Sequence, residues 1–76
     1  MLAMQRSAQV AENVRAELAR RKISVPTFAM ALDRPYGWAQ RRVSGNYPFS
    51  VDELDEVACY LGVPVERLMD LPAVAS

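Results

Sequence analysis

The chain has 76 residues, nine Lys and Arg balanced by nine Asp and Glu, with 51% hydrophobic and 24% charged residues; this describes one small folded domain with a single modest core and excludes most large enzymes and a disordered chain. Histidine is absent and Cys59 is the only cysteine, so an internal disulfide, a zinc cage and imidazole acid–base chemistry are excluded together, and no metal or cofactor is expected. No apolar run approaches the roughly 18 residues of a membrane helix, and Met1-Leu2-Ala3-Met4 does not open a long apolar signal stretch, so a cytoplasmic chain without membrane association is expected.

From Ser7, the residues Val10, Ala11, Val14 and Leu18 recur at spacings of three and four, which predicts a helix to about Lys22 with one apolar stripe. Ser24 is a good N-cap, Pro26 is tolerated in a first turn, and Val25, Phe28, Ala29 and Leu32 form the stripe of a short second helix. Asp33-Arg34-Pro35 interrupts it, because the residue before a proline is pushed away from helical torsions. The proline then opens a third helix, from about Pro35 to Ser44.

Gly45-Asn46-Tyr47-Pro48 is a turn cluster, with Gly45 suited to the left-handed torsions that stop a helix. After a loop to Phe49, Ser50-Val51-Asp52-Glu53 is a capping box that starts a fourth helix. Its inward stripe is Val51, Leu54, Val57, Ala58 and Leu61, with Cys59 and Tyr60 on or beside the packed face. Gly62 ends it, and a last short helix follows with Pro64 in its first turn. An all-α bundle of five helices in a single domain, 1–76, is expected, with a core over about 7–71 and a frayed tail over 72–76.

Zero net charge conceals a division. Residues 1–45 carry Arg6, Arg15, Arg20, Arg21, Lys22, Arg34, Arg41 and Arg42 against Glu12, Glu17 and Asp33, whereas residues 46–76 carry Arg67 against Asp52, Glu53, Asp55, Glu56, Glu66 and Asp70. Such polarity suits a polyanion on one face and water on the other, although solvated helices can cluster charge without any partner. The Arg20-Arg21-Lys22 run itself reads as a solvated helix end favoured by the helix dipole, with backbone phosphate as the alternative contact.

Two short helices about three residues apart in the basic half match a helix-turn-helix. The more specific signal is Trp38-Ala39-Gln40-Arg41-Arg42-Val43-Ser44-Gly45, then Asn46-Tyr47-Pro48-Phe49-Ser50-Val51-Asp52-Glu53-Leu54 and later Leu61-Gly62-Val63-Pro64. Over Val10 to Leu71 the chain resembles the Cro/C1-type helix-turn-helix family, the lambda-repressor-like DNA-binding domains of phage and bacterial regulators. The resemblance implies a lambda-repressor-like bundle whose second and third helices form the helix-turn-helix, with the third in the DNA major groove.

Carried onto this chain, the resemblance gives base-reading positions to Tyr36, Gly37, Gln40 and Arg41. Arg can bridge guanine O6 and N7 and Gln can bridge adenine N6 and N7, each worth about 1 to 3 kcal/mol of discrimination. Tyr36 could touch a thymine methyl or a phosphate. Gly37 allows close backbone approach, or is a tolerated glycine costing ~1 kcal/mol of helix propensity. The family's phosphate clamps correspond to Ser24, Thr27, Ser44, Asn46 and Tyr47, with Arg42 beside them, although Ser24 also suits a cap and Asn46 a turn. Trp38 reads as a packing residue, with base stacking as the alternative.

The chain departs from the family pattern in three places. Val25 stands where the family often has Gln, Asp33 where it has the turn glycine, and Arg34 where it has an apolar turn residue. An acidic residue there repels phosphate unless Arg34 or a neighbour neutralises it.

The expected function is that of a sequence-specific double-stranded DNA-binding regulator, a repressor resembling phage Cro-like or immunity repressors. The alternative is a helical protein–protein interaction module that docks a partner on the acidic fourth helix or the C-terminal segment. An enzyme is not expected, since no nucleophile and base are clustered, and no small-molecule pocket is evident. One reading helix covers only a few base pairs, so a homodimer is expected, using the fourth helix, the fifth or the segment from Leu68 to Val74.

Overall fold

The computed structural model describes the backbone of residues 2–69 and the side chains of residues 7–69. Five helices follow in chain order: α1 (Leu2–Arg20), α2 (Val25–Ala31), α3 (Tyr36–Val43), α4 (Val51–Leu61) and α5 (Val65–Met69). Among the described residues there is no strand. The tail over 72–76, the domain boundary at Leu71 and most of the dimer segment proposed after Leu68 lie outside the described residues.

Helix α1 begins at Leu2, five residues before Ser7, from which the apolar pattern predicts it. Leu, Ala, Met, Gln and Arg are good helix formers, so propensity extends the helix beyond the residues that must be buried. Its end shows a device that recurs. Lys22 takes a left-handed φ of 57°, the Ile23 N–H reaches the Leu18 carbonyl at 2.9 Å and the Lys22 N–H reaches Ala19 at 3.0 Å. This is the Schellman pairing, which satisfies carbonyls that a helix end leaves open. Helix α2 closes the same way on Asp33 (φ 58°), with Arg34 N–H to Ala29 at 2.9 Å and Asp33 N–H to Met30 at 3.0 Å. Helix α4 does so on Gly62.

Asp33 thus performs the turn glycine's conformational task, which Asp tolerates better than most residues. The turn is closed before Arg34, so α2 ends through Asp33 and not through the proline's effect on its neighbour. Pro35 is also outside α3: its φ of −63° is helical but its ψ of 151° is extended. It is the N-cap, and its carbonyl accepts from the Trp38 N–H at 3.1 Å. Likewise Pro64 precedes α5 and accepts from the Arg67 N–H at 3.0 Å.

Local signals are otherwise met as expected. Ser24 caps α2 and its Oγ accepts from the Thr27 N–H at 3.2 Å. Ser50 and Glu53 form both halves of the capping box. The core contains Val10, Ala11, Val14 and Leu18 of α1, Phe28 and Ala29 of α2, Trp38, Ala39 and Val43 of α3, Leu54, Val57, Ala58 and Leu61 of α4, and Leu68 of α5. Leu32 is half-buried against it.

Two expectations for α4 are corrected. Val51 shares the inward stripe but is 76% exposed, because it stands in the first turn, where no neighbouring element covers it. Cys59 is exposed, one 100° helical step away from buried Ala58. Tyr60 is partly exposed and keeps its ring 6.2 Å from Phe28.

Helices α2 and α3 pack most extensively on each other, α1 packs on α3 and α5, and α4 packs on α5. The Asn13 side-chain amide donates to the Leu68 carbonyl at 2.8 Å and joins α5 to α1. No described helix is long and apolar enough to cross a membrane.

Candidate nucleic-acid interface

Helix α3 has an inner face anchored by one carboxylate. Glu53 Oε2 accepts from the Trp38 indole N–H at 3.0 Å, and Oε1 accepts from Arg42 Nε at 2.9 Å and from the Ser50 N–H at 2.9 Å. Arg34 approaches the same carboxylate at 3.5 Å and donates to both oxygens of Glu56 at 3.0 and 3.1 Å. The guanidiniums of Arg34 and Arg42 lie 4.7 and 5.1 Å from the Trp38 ring centroid, and that of Arg42 is also 4.8 Å from the ring of Tyr47. Cation–π attraction therefore adds to the ion pairs. Burial pushes the Glu53 carboxyl up, but the Ser50 N–H, the indole N–H and Arg42 outweigh it and hold it at about 2.

Arg42, expected as a backbone clamp, is consequently directed into the Glu53 cluster, with its side chain only 13% exposed. Trp38 packs as expected, 7% exposed, against Phe28 and Phe49. Arg34 pairs with Glu56 and Glu53 and makes no ion pair with Asp33, so the acidic turn residue is not neutralised by its neighbour.

The outer face is different. Tyr36 is 50% exposed, Gln40 and Arg41 are exposed and Gly37 is half-buried. These four base-reading candidates lie on one face of α3, from Tyr36 in its first turn to Arg41 in its last. Arg41 makes no ion pair among the described residues, and its Nη1 lies 3.3 Å from where a β-carbon on Gly37 would stand. Just beyond α3, Ser44, Asn46 and Tyr47 are exposed; the Ser44 hydroxyl donates to the Arg41 carbonyl at 3.1 Å. Ser24 and Thr27 are exposed at the start of α2, with Ser24 Oγ donating to Thr27 Oγ1 at 2.9 Å.

Several supporting residues carried no motif signal. Arg15 of α1 donates to the Val43 carbonyl at 2.6 Å and so closes the C-terminal end of α3. Arg21 donates to the Leu61 carbonyl of α4 at 3.1 Å and pairs with buried Glu17, which also accepts from Arg20 at 2.9 Å. Hydrogen bonding from Arg21 holds the Glu17 carboxyl below its ordinary range against the opposing effect of burial. The Arg20-Arg21-Lys22 run is thus split: two members turn to Glu17, and Lys22 has no ion pair among the described residues. The capping box gave Glu53 a backbone role, but its service to Trp38 and Arg42 needed the fold to bring the start of α4 within reach of α3.

The charge division along the sequence is not a division in space. Glu53 and Glu56 of the acidic half meet Arg34 and Arg42 of the basic half. Arg15, Lys22 and Arg41 remain as basic-half cations outside any salt bridge among the described side chains, which do not include those of Arg6 and Asp70. No family model, curated protein or solved structure matches this chain. Among the described residues no group of three or more His, Cys, Asp or Glu side chains could hold a metal ion.

Proposed function

We propose that the protein is a sequence-specific double-stranded DNA-binding transcriptional regulator of Cro/C1-type character. In this reading it is a cytoplasmic repressor that occupies operator DNA as a homodimer, without catalysis or cofactor. The observation that carries the reading is the two-sided α3: its inner side is tied down by Glu53, Trp38 and Arg42, while Tyr36 in its first turn, Gln40 and Arg41 in its last stand outward. A rigid helix presenting a guanidinium and a carboxamide suits the major groove, where both groups can make bidentate contacts to purines. Ser24, Thr27, Ser44, Asn46 and Tyr47 flank it with groups able to bind phosphate.

A two-fold dimer would suit this role. The molecule measures 36 × 24 × 19 Å, so two copies side by side can present their α3 helices about 34 Å apart, one turn of DNA. The test is selection of bound sequences from random duplexes, followed by titration of the selected duplex at increasing salt. Affinity for that duplex should fall with salt at a log–log slope near 0.9 per neutralised phosphate. Because Arg20, Arg21, Arg34 and Arg42 are internally paired, the slope should be about 3 per protomer, not the larger value suggested by counting every cation. Failure to bind any duplex would defeat the proposal.

One observation favours a protein-interaction module as the second reading. Ala31, Leu32, Cys59 and Tyr60 line a shallow apolar hollow between α2 and α4, edged by Asp55 and Glu56, and Met30 is 79% exposed. A chain that binds no duplex but is retained by a protein partner through this hollow would support it.

A further inference from the structure

Arg41 and Gly37 are four residues apart on α3, so they lie one above the other on the same side of the helix. The Arg41 side chain runs back toward the start of α3, as long side chains on helices do, and its Nη1 lies beside the place where a side chain at position 37 would begin. A β-carbon on Gly37 would stand 3.3 Å from that nitrogen, closer than an unforced contact. Nothing in the backbone demands glycine here: Gly45 and Gly62 have left-handed torsions, but Gly37 does not. Gly37 is the second residue of α3, and alanine favours helix more than glycine does, so what distinguishes glycine from alanine here is the space it leaves.

The surroundings reinforce this. Arg42, the next residue, is held by Glu53 and lies over two rings, whereas Arg41 makes no ion pair among the described residues. The backbone beneath Arg41 is itself fixed, since its carbonyl accepts from both Ser44 Oγ and the Tyr47 N–H. The open surface over Gly37 is thus the feature that orients the longest side chain on the outer face.

We infer that Gly37 is a specificity-determining residue: the space left by its missing β-carbon is a notch that seats the Arg41 guanidinium across the outer face of α3 and aims it at a base edge. The inference rests on the DNA-reading proposal above. The notch lowers the cost of ordering a flexible arginine on binding, which is how preorganisation turns a contact into affinity. Gly37 acts through Arg41 and is a positioning residue.

The experiment combines Gly37→Ala, Arg41→Ala and the double substitution, with affinities measured on the selected duplex and a scrambled one at fixed salt. Gly37→Ala should raise the melting temperature, because alanine favours helix, and yet reduce the preference for the selected duplex about fivefold, the low end of what one bidentate contact supplies. In the Arg41→Ala background the same substitution should change neither duplex. In the free protein, the Arg41 Nε–Hε signal in NMR should report restricted motion that Gly37→Ala releases.

Unchanged preference in Gly37→Ala would overturn the inference and leave the DNA-reading proposal intact. So would an equal loss in the Arg41→Ala background, which would mean that DNA itself approaches Gly37. A wild-type chain that orders Arg41 in the free state but prefers no duplex would instead overturn the DNA-reading proposal on which the inference depends.

Discussion

Arg41 and Arg42 are adjacent and chemically identical, yet one faces outward and the other is held by Glu53 and two aromatic rings. They should therefore respond differently to truncation. Arg41→Ala should leave the melting temperature nearly unchanged and reduce the difference between operator and random DNA by about 1 to 3 kcal/mol. Asn46→Ala should weaken all duplexes by similar factors, since a residue beyond the helix reaches only phosphates. Titration of both variants on selected and scrambled duplexes at one salt concentration checks the pair, and equal weakening of both duplexes by Arg41→Ala would make Arg41 a phosphate clamp. Glu53 yields a pH prediction. Its carboxyl is held at about 2 in the folded chain against an ordinary 4.5, so the folded state binds its proton less readily than the unfolded chain does. The stabilisation is complete above pH 4.5 and is lost as pH falls toward 2. At 1.36 kcal/mol per unit this is about 3 kcal/mol, and Glu17 acts in the same direction. Urea unfolding at successive pH values should show the decline, and Glu53→Gln should flatten it.

At the scale of the element, the same helix ending is built on Lys22, Asp33 and Gly62. Glycine adopts left-handed torsions freely, whereas other L-residues pay roughly 1 to 2 kcal/mol for them. Asp33 also places a negative charge at the negative end of α2, where it is unfavourable. Asp33→Gly should therefore stabilise the chain by about 1 kcal/mol and raise its melting temperature, the gain being trimmed by glycine's greater entropy loss on folding. Under the proposed DNA-binding role it should also tighten binding to all duplexes, because a carboxylate beside α3 is removed. An unchanged or lower melting temperature would show that Asp33 supports the turn by another route. The endings at Gly45 and Gly62 were legible because glycine advertises the torsion it takes. Those at Lys22 and Asp33 were not, since the torsion is imposed by hydrogen bonds that any residue's backbone can make.

At the scale of the whole molecule, every helix contributes to one core. Leu54 is 6% exposed, so Leu54→Ala should cost roughly 2 to 5 kcal/mol, a large part of the stability of so small a domain. A melting temperature unaffected by that change would mean that α4 is not packed as described. Val51→Ala is the natural contrast: with Val51 76% exposed, it should change stability by no more than about 0.5 kcal/mol. Periodicity alone treats the two positions alike. Only the end of the packed surface along α4 separates them.

The five helices, the caps on Ser24 and Ser50 and most of the inward stripes are legible along the chain, because these depend on residues within one or two turns of each other. The sequence also marked Tyr36, Gly37, Gln40 and Arg41 as neighbours on one short helix. Which groups remain available to a partner depends on long-range packing. Glu53 reaches Arg42 and Trp38 across 11 and 15 positions, Arg15 reaches Val43 across 28, and Arg21 reaches Leu61 across 40. No local pattern encodes such pairings, since each depends on where packing brings the backbone of a distant helix. That packing sets Arg34 and Arg42 against Glu53 and Glu56 and leaves Arg41 facing outward, because these ion pairs form between charges that the core brings together, whatever their order along the chain.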